Sequence, residues 1–472
     1  MSRTDSLASR FARLQQAARD EPYPDRAVRE HRLRALDRLL LDNETAIAEA
    51  IRRDFGHRSP AETRLLELFP SHQAIRHALR HLKHWMRPQS RRVSLWFQPS
   101  TAELRHQPLG AVGIMVPWNY PVFLAAAPLV AALAAGNRVL IKMSEFTPAT
   151  SALFAELVAG AFADDEFSVV EGDALVAREF ARLPFDHLLF TGSTPVGHQV
   201  MAAAADNLTP VTLELGGKSP AIIGPGLGGS AQFARAVERI VVGKCLNAGQ
   251  TCIAPDYVLV PAGQEQAFID HARKVIGTCY PELATTPDYS SIVNDRQYQR
   301  LCSYLADASA GGARIVELAP GVPADPVMRR LPPVALLDAR DDALVMREEI
   351  FGPLLPIVAY RDLAAAIGYV NRRPRPLALY YFDDDAAQIE RVLAETVSGG
   401  VTINDTILHI AQDDLPFGGV GPSGMGCYHG FAGFETFSAR KGVYRQSRVS
   451  AIGLFKPPYG KLFDRLTGIL LR

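Results

Sequence analysis

Cys252 closes the run Asn247-Ala248-Gly249-Gln250-Thr251-Cys252. It stands just beyond an expected helix, and Gly249 permits a tight turn there. A thiolate exposed at such a turn is a nucleophile. The commoner use of cysteine is as a small buried apolar residue, and Cys245, Cys279 and Cys302 have only that context. Glu214 lies within an apolar run, residues 211–215, that ends in Gly216 and Gly217. A carboxylate inside such a strand is costly unless it is paired or used. An ion pair with Lys218 is the plain alternative; a general base with a raised pKa is the chemical one. Asn119, in Pro117-Trp118-Asn119-Tyr120-Pro121, follows a strand end. Its amide can donate to an oxyanion or simply close a turn.

A second set of residues concerns phosphate. Phe190-Thr191-Gly192-Ser193-Thr194-Pro195 closes a strand and opens a helix. Backbone N–H groups there, with the Ser193 hydroxyl, can hold one phosphate, although a capped helix is the more frequent use. Gly419-x-Gly421-x-x-Gly424 matches the dinucleotide fingerprint in letters only. It follows Pro416-Phe417-Gly418 rather than a strand, and it runs into more glycine rather than a helix. Gly217-Lys218-Ser219 resembles the end of a phosphate-binding loop, but Thr212 stands where the first glycine belongs.

Positioning these groups needs a scaffold, and the hydropathy pattern supplies one. Residues 6–55 and 61–86 read as helices, and 91–103 as a projecting strand or linker. Strands at 111–116, 138–142, 167–172, 187–192 and 211–215 then alternate with helices. A second block follows, with strands at 221–223, 257–261, 314–318, 356–360, 377–382 and 401–404. Apolar strands alternating with helices of about a dozen residues predict α/β architecture: two doubly wound parallel sheets with a cleft between them. The glycine-rich stretch 416–433 reads as irregular.

Composition narrows the function classes. Fifty Lys+Arg balance fifty Asp+Glu, so the basic excess typical of nucleic-acid binders is missing. Eight of the cations are Lys and 42 are Arg, which gives each Lys inside a motif more weight. The five cysteines show no CxxC pair and no Cys/His cluster. That argues against a disulfide framework or a metal site, and for reduced thiols in a cytoplasmic setting. The polar start lacks an apolar signal core, and the longest apolar stretch, 122–135, is too short to span a bilayer.

The motifs PWNYP, IKMSE, FTGST, LELGGKSP, NAGQTC, EEIFGP and PFGGVGPSGMG, in this order, resemble the aldehyde dehydrogenase superfamily, and the likeness covers residues 20–450. Asn404-Asp405-Thr406 with His409, the run 412–419 and Tyr428-His429-Gly430 look most like its class 3 branch, and within that the bacterial coniferyl aldehyde dehydrogenases. The resemblance implies a Rossmann-like NAD-binding domain (1–90 and 110–215), a catalytic domain (216–404), and an oligomerisation arm that builds a homodimer together with the return to the cofactor domain (91–109 and 405–450). It makes Cys252 the nucleophile that forms a thiohemiacetal and then a thioester. Asn119 and the Cys252 N–H become the oxyanion hole, and Glu214 the base that activates water. Lys142 and Glu145 match the ribose-binding pair, and Gly192 and Ser193 the pyrophosphate turn. Glu349 and Phe351 match the groups that position the nicotinamide end; Tyr120 and His409 are expected to line the substrate pocket.

Glu145 would accept bonds from both ribose hydroxyls but repel a 2′-phosphate, so NAD is the expected cofactor, with NADP tolerated. Three departures from the family pattern stand out: Met143 in place of proline, a longer stretch between Glu214 and Cys252, and Cys427 in place of histidine. None removes a group that the mechanism needs. The expected activity is oxidation of an aromatic or other hydrophobic aldehyde to its acid. The alternatives are a medium- or long-chain fatty aldehyde substrate, acyl transfer to coenzyme A, and a catalytically silent binding protein on the same fold. Residues 451–472 form an amphipathic tail, for which docking against a partner subunit is favoured over peripheral membrane contact.

Overall fold

Val112, Ile114, Val139, Ile141, Leu188 and Leu189 are fully buried, as strands covered on both faces must be. In the computed structural model, which describes residues 6–471, they belong to a six-stranded sheet. Its order is Gly424–Met425, Val211–Glu214, His187–Thr191, Ala111–Met115, Arg138–Lys142, Phe167–Val170. All neighbours are parallel except Gly424–Met425, which pairs antiparallel with Val211–Glu214 and sets Gly424 opposite Glu214. The chain leaves Ala111–Met115 toward one side and returns to pair with it on the other. In such sheets ligands bind outside the carboxyl ends of the strands at that switch. The helix Phe123–Ala135 is buried throughout, and Gly136, at a left-handed φ of 94°, ends it.

The second sheet has seven strands, in the order Arg314–Glu317, Val334–Leu337, Leu354–Tyr360, Tyr257–Pro261, Pro220–Ile223, Ala378–Phe382, Gly400–Ile403. Only its first pair is antiparallel. A third sheet joins Gln89–Arg91 and Ser438–Arg445 to the two edges of Thr101–Pro108, with Ser438 opposite Pro108 and Arg445 opposite Thr101. Among the described residues no helix is long and apolar enough to cross a membrane.

Several local expectations change. The helical stretch 6–55 is three helices, Leu7–Asp20, Arg26–Asp42 and Glu44–Phe55, because Asp25 caps a new start by accepting from the Val28 N–H. The stretch 61–86 contains a π turn at Arg64–Leu68, just before Pro70, which has no N–H to give to a helical carbonyl. The glycine-rich stretch 416–433 is not irregular throughout: it holds the edge strand Gly424–Met425 and opens the helix Gly430–Thr436. The helix Asp295–Ala310 and the strand Val334–Leu337 had no counterpart in the sequence reading.

Candidate active site

Each named residue of the first sheet stands at or just past the carboxyl end of its strand. Asn119 follows Ala111–Met115, Lys142 ends Arg138–Lys142, Gly192 and Ser193 follow His187–Thr191, and Glu214 ends Val211–Glu214. Cys252, Glu349 and Phe351 stand just before strands of the second sheet, Tyr257–Pro261 and Leu354–Tyr360. The site therefore lies where the carboxyl ends of one sheet meet the amino ends of the other.

The loop that carries Cys252 is wound the left-handed way. Asn247, Ala248 and Gly249 have φ values of 51°, 51° and 77°. Such a run costs free energy unless its surroundings hold it. The Asn247 N–H donates to Glu62 Oε1 at 3.0 Å. Gln250 Nε2 donates to the Asn247 and Ser291 carbonyls at 2.9 and 3.0 Å, and the Val293 N–H donates to Gln250 Oε1 at 2.9 Å. Gly249 backs onto the Gly352 carbonyl so closely that no side chain fits between them.

Asn119 is buried and meets this loop directly. Its Nδ2 donates to the Gln250 carbonyl at 3.1 Å, and its own carbonyl accepts from Asn247 Nδ2 at 3.1 Å. An amide nitrogen has two N–H bonds, and one of them remains for a further acceptor. Next to it, the Tyr120 hydroxyl pairs with Thr251 Oγ1 at 2.6 Å.

Glu214 is buried with neither carboxylate oxygen hydrogen-bonded. Burial raises its pKa well above the carboxylate range. Lys218 does not compensate it; that ammonium pairs with Asp256 and donates to the Val345 carbonyl at 2.9 Å. Glu349 packs against Gly216, where even a methyl group would collide with its carboxylate. Burial, with the charge of Asp256 adding, pushes its pKa up to about 8. Cys252 is half-buried. Desolvation, with the charges of Glu349 and Glu214 adding, raises its thiol. Both carboxylates thus lie within electrostatic range of the sulfur.

The cofactor-type residues are less enclosed. Lys142 is buried, with Nζ on the Met143 and Gly172 carbonyls at 2.6 and 2.7 Å, while Glu145 is exposed. Ser193 is the N-cap of helix Thr194–Ala205, yet its exposed hydroxyl makes no capping bond. Phe351 meets Trp118 edge to face at 5.3 Å. His409 belongs to a ring cluster with Tyr380, Phe417, Tyr428 and His429. Burial lowers the His409 pKa to about 4.

Sequence reasoning missed the shell behind Asn119. Arg58, Glu62 and Glu67 are buried around it, but in the sequence they look like a polar turn and helix start. Asn247 and Gln250 were visible inside the NAGQTC motif without a role; their left-handed turn and side-chain bonds are tertiary features.

The profile of the aldehyde dehydrogenase family matches residues 12–443. A Pseudomonas aeruginosa protein named a probable coniferyl aldehyde dehydrogenase is 54% identical over 98% of this chain and 95% of its own length. The coniferyl aldehyde dehydrogenase of Pseudomonas sp. strain HR199 is 45% identical over 99% of this chain and 96% of its own. The solved structure of a substrate-bound Staphylococcus aureus AldH superposes with a TM-score of 0.92 at 36% identity, covering 99% of this chain and all of that one. Profile, relatives and fold agree over nearly the whole length: the chain belongs to the aldehyde dehydrogenase family.

Proposed function

We propose that the protein oxidises aromatic aldehydes of the coniferyl type to carboxylic acids, with NAD as its preferred cofactor, and that it works as a cytoplasmic homodimer. The observation that carries the reaction is the buried Glu214 carboxylate, with neither oxygen partnered and Cys252 within its field. In this reading the Cys252 thiolate attacks the aldehyde carbon, and the carbonyl oxygen becomes an oxyanion. The spare Asn119 N–H and the Cys252 backbone N–H receive that charge where it develops. Bound NAD supplies the hydride acceptor. A thioester on Cys252 remains, and Glu214 takes a proton from the water that cleaves it. A buried carboxyl with a raised pKa suits that task near neutral pH.

Residues free to hold the dinucleotide fit its chemistry. The helix start at Ser193 offers N–H groups and an unspent hydroxyl to pyrophosphate. The exposed Glu145, with Lys142 beside it, suits the adenine-side ribose, and Glu349, whose Oε1 has no partner, suits the nicotinamide-side ribose next to Phe351. Trp118, Tyr120 and the His409 cluster supply aromatic walls, which favours an aromatic substrate.

Cys252→Ala is expected to abolish acid formation while cofactor affinity stays within about threefold; undiminished turnover would end the mechanism. A kcat/KM panel over coniferyl, benzyl and medium-chain aliphatic aldehydes checks the substrate class, with the first expected to rank highest. The same panel with NADP checks the cofactor, and equal or better kcat/KM with NADP refutes the preference.

A further inference from the structure

Arg58 is wholly buried and comes from the N-terminal segment, far in sequence from the cysteine loop. Its Nη1 donates to the Asn119 carbonyl at 2.6 Å and lies 3.3 Å from Glu67 Oε1, itself wholly buried. Glu67 in turn accepts from the Val122 and Phe123 N–H groups at 2.7 and 3.2 Å, at the start of helix Phe123–Ala135. The guanidinium also lies over the Tyr120 ring, 4.6 Å from its centroid. Neither Nε nor Nη2 of Arg58 has a hydrogen-bond partner.

This is an expensive arrangement. Removing both charges from water costs more than a core of apolar residues would, so a buried pair is a poor device for stability alone. What the pair does do is geometric. One nitrogen holds the backbone of the oxyanion donor, and the carboxylate that holds that nitrogen is tied to the first turn of the next helix. The Asn119 carbonyl thereby has two donors, Arg58 from one side and Asn247 from the other.

We propose that the buried Arg58–Glu67 pair is the positioning device of the oxyanion corner, fixing the Asn119 backbone so that the free N–H of its side chain meets the developing charge. The inference rests on the reading of Asn119 given above. It is read most directly in the first half-reaction, where the oxyanion forms as the Cys252 sulfur–carbon bond forms and collapses as hydride leaves; water attack on the thioester raises a second oxyanion at the same corner.

The test is stopped-flow NADH formation in the first turnover, with an aromatic aldehyde and saturating NAD. Two double variants, R58M/E67M and R58Q/E67Q, remove the pair together, while the buried Glu62 keeps its bonds to the Asn247 N–H and the Ser290 hydroxyl. Each is expected to fold, to keep the wild-type rate of Cys252 alkylation by iodoacetamide, and to keep KM within about threefold. First-turnover NADH formation should fall on the order of 10- to 100-fold, as for a misplaced donor, and less than the roughly 100- to 1,000-fold of a deleted one. Asn119→Ala is the control for the underlying reading: a wild-type first turnover in that variant removes Asn119 from the site and the proposal with it. If Asn119→Ala is slow while either double variant folds and reacts at the wild-type rate, the positioning role alone is overturned. Failure of both double variants to fold makes the pair a structural element and overturns the role as well.

Discussion

At the scale of single residues, burial raises the pKa of both carboxyls of the site, Glu214 and Glu349. Glu349 keeps its proton up to about pH 8 in the folded chain and releases it near 4.5 when unfolded. The folded state therefore binds the proton more tightly between those values. Its stabilising contribution is complete below pH 4.5 and is lost as pH rises through 8. Glu349→Gln removes this dependence. Denaturant unfolding at pH 5 and pH 9 should show the variant gaining on the wild type by on the order of a few kcal/mol at the higher pH; a gap that does not change with pH refutes it. The buried imidazoles act in the opposite direction. His409 titrates near 4 and His429 near 3, below the ordinary 6.5, so their contribution is present above 6.5 and fades as pH falls through their folded values. Raised carboxyls and depressed imidazoles both keep charge out of a dry site.

At the scale of elements, two glycines decide how the parts fit. Gly216, two residues past the strand that Glu214 ends, leaves room for the Glu349 carboxylate. In Gly216→Ala the obstacle is the end of a flexible side chain, so Glu349 should swing away while the fold survives. The expected result is a loss of about tenfold in kcat/KM with a melting temperature within a few degrees of wild type. Gly249 differs, since its φ of 77° is left-handed and its neighbour is the Gly352 backbone, which cannot swing. Gly249→Ala should cost roughly 3 kcal/mol or more and separate the cysteine loop from the turn carrying Phe351. Calorimetry on the two variants checks the contrast, and equal destabilisation would contradict it.

At the scale of the whole molecule, the three-stranded sheet and the tail carry apolar surface that no described residue covers. Leu95, Trp96 and Phe97 are 73%, 59% and 53% exposed between two strands of that sheet. The helix Lys461–Leu470 buries no residue and meets the rest of the described chain through Phe463 on Tyr459 and Phe455. We expect the arm to be covered by a second copy, so that Trp96→Asp with Phe97→Asp converts a dimer to a monomer in light scattering. Deleting 459–472 should leave vesicle flotation unchanged; flotation of the full chain that is lost on deletion would favour membrane contact. Much of this was legible in the residue order. Cys252, Glu214 and Asn119 stand in motifs whose glycines and strand ends announce them, and alternating apolar strands dictate layered α/β architecture because buried strands must read as continuous apolar runs. Other parts were not legible. Arg58 is one of 42 arginines and nothing local marks it as buried, since its carboxylate partner is nine positions away and its acceptor carbonyl 61. Likewise Lys218 could be read as the partner of Glu214, and only the packed chain gave it to Asp256. Local pattern determines which groups exist and which elements carry them. Which charges are desolvated, and which partner each one finds, depends on segments that meet only once the chain has packed.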